Sequence, residues 1–115
     1  MNDYPEFVRS RTKEPTEIAL EIDPLKAALM HAAMGISGES GELLDAIKKN
    51  VIYNKPLDII NVSEELGDLE FYLEMMRQAL HLNRDEIIRS NISKLTMRYP
   101  SQYSDASAQE RADKK

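Results

Sequence analysis

The stretch LKAALMHAAMGISGESGELLDAIKKNV, residues 25–51, places apolar side chains at Leu25, Leu29, Ala32, Ile36, Leu43 and Ile47, on helical spacing. Steps that keep returning to one face predict an amphipathic helix. Asp23 and Pro24 stand where it would start, the aspartate suited to accept from free backbone N–H groups and the proline to the first turn. Asn54-Lys55-Pro56 marks a turn, after which Ile59, Val62, Leu66, Leu69, Leu73, Met76 and Leu80 alternate steps of three and four. This heptad-like seam predicts a second long helix. At 1.5 Å per residue each helix spans roughly 35 to 45 Å, and the short connection predicts an antiparallel hairpin.

Outward from these two helices the signals are shorter. Pro15-Thr16 resembles another helix start and gives a small N-terminal element. Asn83 and Glu86 have capping-box spacing and open a third helix, through Ile88, Ile92 and Leu95 to Tyr99-Pro100. The remainder, SQYSDASAQERADKK, has no apolar periodicity and balances three acids with three bases, so residues 101–115 read as a disordered tail. The expected fold is therefore all-α: one domain over residues 1–100, built on an antiparallel long-helix hairpin plus a shorter C-terminal helix. A lone hairpin cannot bury itself. In LEFYLEMM, residues 69–76, Phe71, Tyr72 and Met75 point away from the seam that holds Leu69, Leu73 and Met76. The bundle is expected to be completed by oligomerisation with further copies of the chain.

Composition narrows the function. A chain of 115 residues holds one core. Its 20 acids and 15 bases give a net charge of −5, and residues 36–76 alone carry nine acids against three bases. Binding a nucleic acid polymer takes the opposite charge. With no cysteine there are no disulfides, thiolate nucleophiles or sulfur-ligated metals, which leaves oxygen and imidazole as donors. No run of 18 apolar residues suggests a membrane span, and MNDYPEFVRSRTKE lacks a signal-peptide core, so a cytoplasmic protein is expected.

The placement of the acids is the informative feature. At 100° per residue Glu39 lies within the apolar stripe of the first long helix, about 40° from Leu25 and Leu43. Glu42 follows one turn later at the edge of the stripe, and Glu65 and Asp68 repeat the three-residue spacing on the second helix. In a hairpin the two pairs would face one another. Carboxylates gathered in a partly buried place repel, and desolvation raises their pKa values unless a cation compensates. Mg²⁺ suits such a site, being a hard ion that binds through a few carboxylates and keeps positions open for water and phosphate oxygens. Gly35, Gly38 and Gly41 add a strip without side chains beside the acids, each at a cost of about 1 kcal/mol relative to alanine. Either a neighbouring helix or a ligand would explain that strip.

HAAMGISGESGELLDAIKK, residues 31–49, followed by SEELGDLEFYLEMM, residues 63–76, resembles the MazG-type all-α nucleoside triphosphate pyrophosphohydrolases, whose signature is Glu-x-x-Glu on one helix and Glu-x-x-Asp on the next. Here these are Glu39, Glu42, Glu65 and Asp68, and NISKLTMRYP, residues 91–100, is also similar to small phage and bacterial members. Many members have two adjacent acids at the start of the first motif, whereas Gly38 precedes Glu39 here, which bears on metal number or affinity.

The resemblance implies Mg²⁺-dependent cleavage between the α and β phosphates of a nucleotide, giving a monophosphate and pyrophosphate, with Mn²⁺ as an alternative ion and a homodimer or homotetramer as the assembly. Glu39, Glu42, Glu65 and Asp68 would hold the metal, and Glu39 or Glu42 would handle the attacking water. Asn91, Lys94 and Arg98 share one face of the third helix, and the resemblance assigns them, with Tyr99, to phosphate. Lys49 would either reach phosphate or pair with Asp45. His31 and His81 complete no Glu-x-x-His pair, which argues against a di-iron site. Two alternatives stand beside this expectation: the same fold acting on phosphoribosyl-ATP or on a dUTP- or dCTP-type nucleotide, and a non-enzymatic helical interaction module using the seam from Ile59 to Leu80.

Overall fold

Local rules place the helix ends. The computed structural model describes residues 3–100 and 105–110, and every element among them is a helix: α1 (Tyr4–Arg11), α2 (Pro15–Glu21), α3 (Pro24–Val51), α4 (Ile59–Ala79), α5 (Arg84–Arg98) and α6 (Asp105–Glu110). Asp23 caps α3 by accepting from the Lys26 backbone N–H at 2.8 Å, with Pro24 at the first helical position. Asp58 does the same for α4 through Asn61 at 3.0 Å, and Asn83 for α5 through Glu86 at 3.1 Å. The connection from α3 to α4 turns at Asn54, whose φ of 52° lies in the left-handed region that asparagine tolerates. Asn50 Nδ2 donates to the Lys55 carbonyl and Lys55 N–H to the Lys49 carbonyl, closing that turn. α4 ends on His81, also left-handed at φ 55°, with the Leu82 N–H donating to the Arg77 carbonyl in a C-terminal cap.

Packing is concentrated in one helix pair. α3 and α4 lie against each other, with the Tyr72 ring of α4 over Gly35 and beside His31 of α3, while Asn50 meets Lys55 within the connection. On α3 the sheltered positions include Leu29, Ala32, Ile36, Glu39, Leu43 and Ala46, with Ala32 and Ala46 fully or nearly buried. On α4 they include Val62, Glu65, Leu69, Tyr72, Leu73 and Met76, with Glu74, Met75 and Arg77 also half-buried. A glutamate therefore occupies a contact position on each helix. The α4 seam is less enclosed than its periodicity suggests, because Leu66 is 52% exposed and Ile59 70% exposed.

The other elements stand apart. α1 is capped by Asp3 and presents Tyr4, Phe7 and Val8 outward. α5 buries no residue, and the link described between it and α4 is an ion pair at its first residue, Arg84 with Glu70 at 3.8 Å. Within the segment read as a tail, Asp105–Glu110 forms α6 and touches α5; residues 101–104 and 111–115 lie outside the described residues. An aspartate in the first turn and two alanines favour that short helix locally, without an apolar stripe.

One chain by itself is open. Its Cα radius of gyration is 20.0 Å, against about 13 Å for a compact chain of this length. It exposes 9403 Å², whereas a folded monomer of this mass exposes about 6400 Å².

Candidate active site

The helix pair sets carboxylates against one another. Glu39 from α3 and Glu65 and Asp68 from α4 each offer an oxygen within 4.8 Å of the others. Glu39 and Glu65 are half-buried and Asp68 is exposed. The two glutamates occupy contact positions, so packing of the helix pair removes water from them, while Asp68, three residues on, stays at the rim. Glu65 Oε2 is sheltered and has no hydrogen-bond partner. A sheltered acceptor left without a partner is costly unless a proton or a cation meets it.

The electrostatics follow from that crowding. Glu65 is pushed up to about 7, first because only a protonated carboxyl can hydrogen-bond to its neighbour Glu39, then by loss of water and by the charges of Glu39, Glu42 and Asp68. Like charges brought together disfavour the ionised form. No lysine or arginine among the described residues pairs with any of these four acids. The donor set is all oxygen and converges from two helices, which fits a hard divalent cation of the Mg²⁺ kind.

The arrangement can do more than hold charge. An ion bound by a few carboxylates keeps positions for water and for the oxygens of a polyphosphate. Residues 27–103 match the MazG nucleotide pyrophosphohydrolase domain. The chain belongs to that family. The MazG match spans both acidic motifs, α3 from Ala27 onward, all of α4 and all of α5. No curated protein and no solved structure matches the chain.

Within the MazG domain the candidate residues separate into groups. Glu42 is exposed and outside the three-residue cluster, although its charge is felt at Glu65. Lys49 pairs with Asp45 at 3.1 Å, with both side chains about half exposed, so the second of its two expected roles is the one seen. Asn91 and Lys94 are exposed on α5, away from the α3–α4 pair. Arg98 and Tyr99 are half-buried at the end of α5, with the Arg98 guanidinium 5.9 Å from the Tyr99 ring centre.

Two features of the helix pair were not read from the sequence. Tyr72 lies one turn beyond Asp68, and its ring covers Gly35, one turn before Glu39. A Cβ at Gly35 would overlap that ring, whereas Gly38 and Gly41 have open space around theirs. Of the three-glycine strip, only its first member is used for close approach between α3 and α4. The second feature is Arg77, 12% exposed, which donates to Glu70 at 2.6 Å and Glu74 at 2.8 Å. The i,i+3 and i,i+7 spacing of those acids from Arg77 was the available signal.

Proposed function

We propose that this MazG domain is a divalent-cation-dependent nucleotide pyrophosphohydrolase that converts a (d)NTP to a (d)NMP and pyrophosphate. The sheltered, partnerless Glu65 oxygen beside Glu39 and Asp68 carries this reading. The helix pair would act as an antiparallel hairpin within a homodimer or homotetramer, its exposed apolar faces covered by further copies.

Glu39, Glu65 and Asp68 would hold Mg²⁺, or Mn²⁺ in its place. When bound, the ion supplies charge neutralisation on the polyphosphate and makes a neighbouring water more acidic. Glu42 stands outside the cluster and within electrostatic reach of it, a position suited to accepting the proton of the attacking water. The water oxygen forms a bond to the α phosphorus as the bond to the bridging oxygen breaks, and pyrophosphate leaves. Asn91 and Lys94, with Arg98 and Tyr99, would bind the phosphates. Lys49 is a weaker candidate because Asp45 already engages it.

The test is a panel of ribo- and deoxyribonucleoside triphosphates with Mg²⁺, extended to phosphoribosyl-ATP, with release of pyrophosphate and monophosphate measured. Turnover of at least one member is expected, with losses on the order of 100-fold or more for Asp68→Asn and Glu39→Gln. No turnover of any member would remove the enzyme reading and leave the helical interaction module.

A further inference from the structure

The acids of the helix pair push it apart. Glu39 of α3 and Glu65 and Asp68 of α4 gather within 4.8 Å, and no lysine or arginine among the described residues pairs with them. Their mutual repulsion favours a wider gap between α3 and α4. A shared cation demands the opposite, since Mg²⁺ holds its ligands at about 2.0–2.1 Å in a nearly fixed geometry. The distance between the helices therefore has to be set by a contact outside the cluster.

Such a contact lies one turn away. Tyr72 follows Asp68 by four residues and Gly35 precedes Glu39 by four, so both sit on the faces that carry the acids. The Tyr72 ring covers Gly35, where a Cβ would overlap Cγ, Cδ1 and Cε1 of the ring. Those atoms include the base of the ring, so room for a methyl there comes only from a displaced ring or a wider gap between the helices. His31, one turn before Gly35, meets the ring edge-on with centroids 6.0 Å apart, and Phe71 does so at 5.2 Å. These neighbours limit its freedom to turn aside. Gly38, Gly41 and Gly67, which stand within or beside the acidic motifs, have open space where a Cβ would be. Among the glycines, Gly35 alone lies beneath a side chain of the other helix.

We infer that Tyr72, seated on Gly35, is a positioning residue that sets the separation and register of α3 against α4, so that Glu39, Glu65 and Asp68 can share one divalent cation. The inference rests on the cation-dependent reading for the purpose of the cluster, and on the Tyr72–Gly35 contact for the means. Tyr72 acts through the two helices and not on the ion. Its ring supplies attraction between the helices that opposes the repulsion of the acids. The lever is short: four residues of helix span about 6 Å, and packed helices pass on strain with little loss. A displacement on the order of 1 Å at Gly35 thus reaches the carboxylates, whose placement has a tolerance of about 0.5 Å.

Manganese binding tests this without reference to turnover. Mn²⁺ is titrated into the wild-type chain and into Gly35→Ala, Tyr72→Leu and Tyr72→Phe variants, with free ion followed by its electron paramagnetic resonance signal and folding checked by circular dichroism at the same temperature. Gly35→Ala and Tyr72→Leu are expected to weaken binding by about 10-fold or more, and Tyr72→Phe, which keeps the ring, to stay within about 2-fold of the wild type. In Gly35→Ala/Tyr72→Leu the smaller side chain makes room for the methyl, so the double variant is expected to lose less than the two single losses combined.

Folded Gly35→Ala and Tyr72→Leu chains that bind Mn²⁺ as tightly as the wild type, whatever their melting temperatures, would reduce the contact to general packing and overturn the inference. If Gly35→Ala does not fold, Tyr72→Leu, which introduces no overlap, decides by the same criterion. A loss in Tyr72→Phe equal to that in Tyr72→Leu would assign the effect to the hydroxyl and overturn the inference as well. A wild-type chain that takes up no Mn²⁺ instead overturns the cation-dependent reading.

Discussion

Glu39 of α3 and Glu65 of α4 meet carboxyl to carboxyl across the helix pair, within 4.8 Å and with Asp68 beside them. The Glu65 carboxyl is thereby raised from 4.5 to about 7. A carboxyl whose folded pKa is raised holds its proton more tightly in the folded chain, so its stabilising share is full below about pH 4.5 and lost as pH rises through 7. In EDTA, the melting temperature is expected to fall between pH 5 and pH 8, and Glu65→Gln to shrink that fall. Addition of Mg²⁺ should raise the melting temperature more at pH 8 than at pH 5, because the ion competes with the proton. Equal shifts at both pH values would contradict the crowding described.

A trade between stability and activity follows at the same residue. At pH 8 without metal, Glu65→Gln removes a charge from the cluster and should melt higher than the wild-type chain, while hydrolysis drops by at least about 100-fold. Thermal melts in EDTA and a pyrophosphate assay read the two effects. A variant that melts lower than the wild type would show that the acids do not repel.

Gly35 and Gly67 should respond oppositely to alanine. Gly35→Ala drives a methyl into the Tyr72 ring and should destabilise by about 1–3 kcal/mol. Around Gly67 there is open space, and Gly67→Ala should stabilise α4 by about 1 kcal/mol. Urea midpoints compare them. Similar effects of the same sign would mean that Tyr72 does not rest on α3.

His81 ends α4 in the left-handed region at φ 55°. His81→Gly removes the steric penalty of that conformation and should stabilise by about 0.5–1 kcal/mol, with turnover unchanged. Lost turnover at unchanged stability would instead give His81 a part in the chemistry.

Helix ends were legible because each is a local event. Asp23 with Pro24, Asn83 with Glu86, and the turn at Asn54 all act within about four residues, and each appears where its chemistry places it. The in-stripe position of Glu39 was legible for the same reason, since helical spacing alone sets it among Ile36 and Leu43. The short α6 was missed because a six-residue helix carries no stripe to read. Leu66 and Ile59 were over-read: their spacing matches a seam, but a two-helix contact covers a narrower face than a heptad pattern implies.

By itself, then, the sequence determined an all-helical chain, the ends of its long helices and the acids placed on their faces, because capping and 3.6-residue spacing act over short range. Only the tertiary structure decided which acids meet. Glu39, Glu65 and Asp68 form the cluster while Glu42 stays outside it, and Tyr72 settles on Gly35. Those outcomes depend on the rotation and register of α3 against α4, which spacing along either helix leaves undetermined. The separation of α5 from the acids is likewise a matter of packing, since a turn at His81 can direct the next helix onto its own chain or away from it.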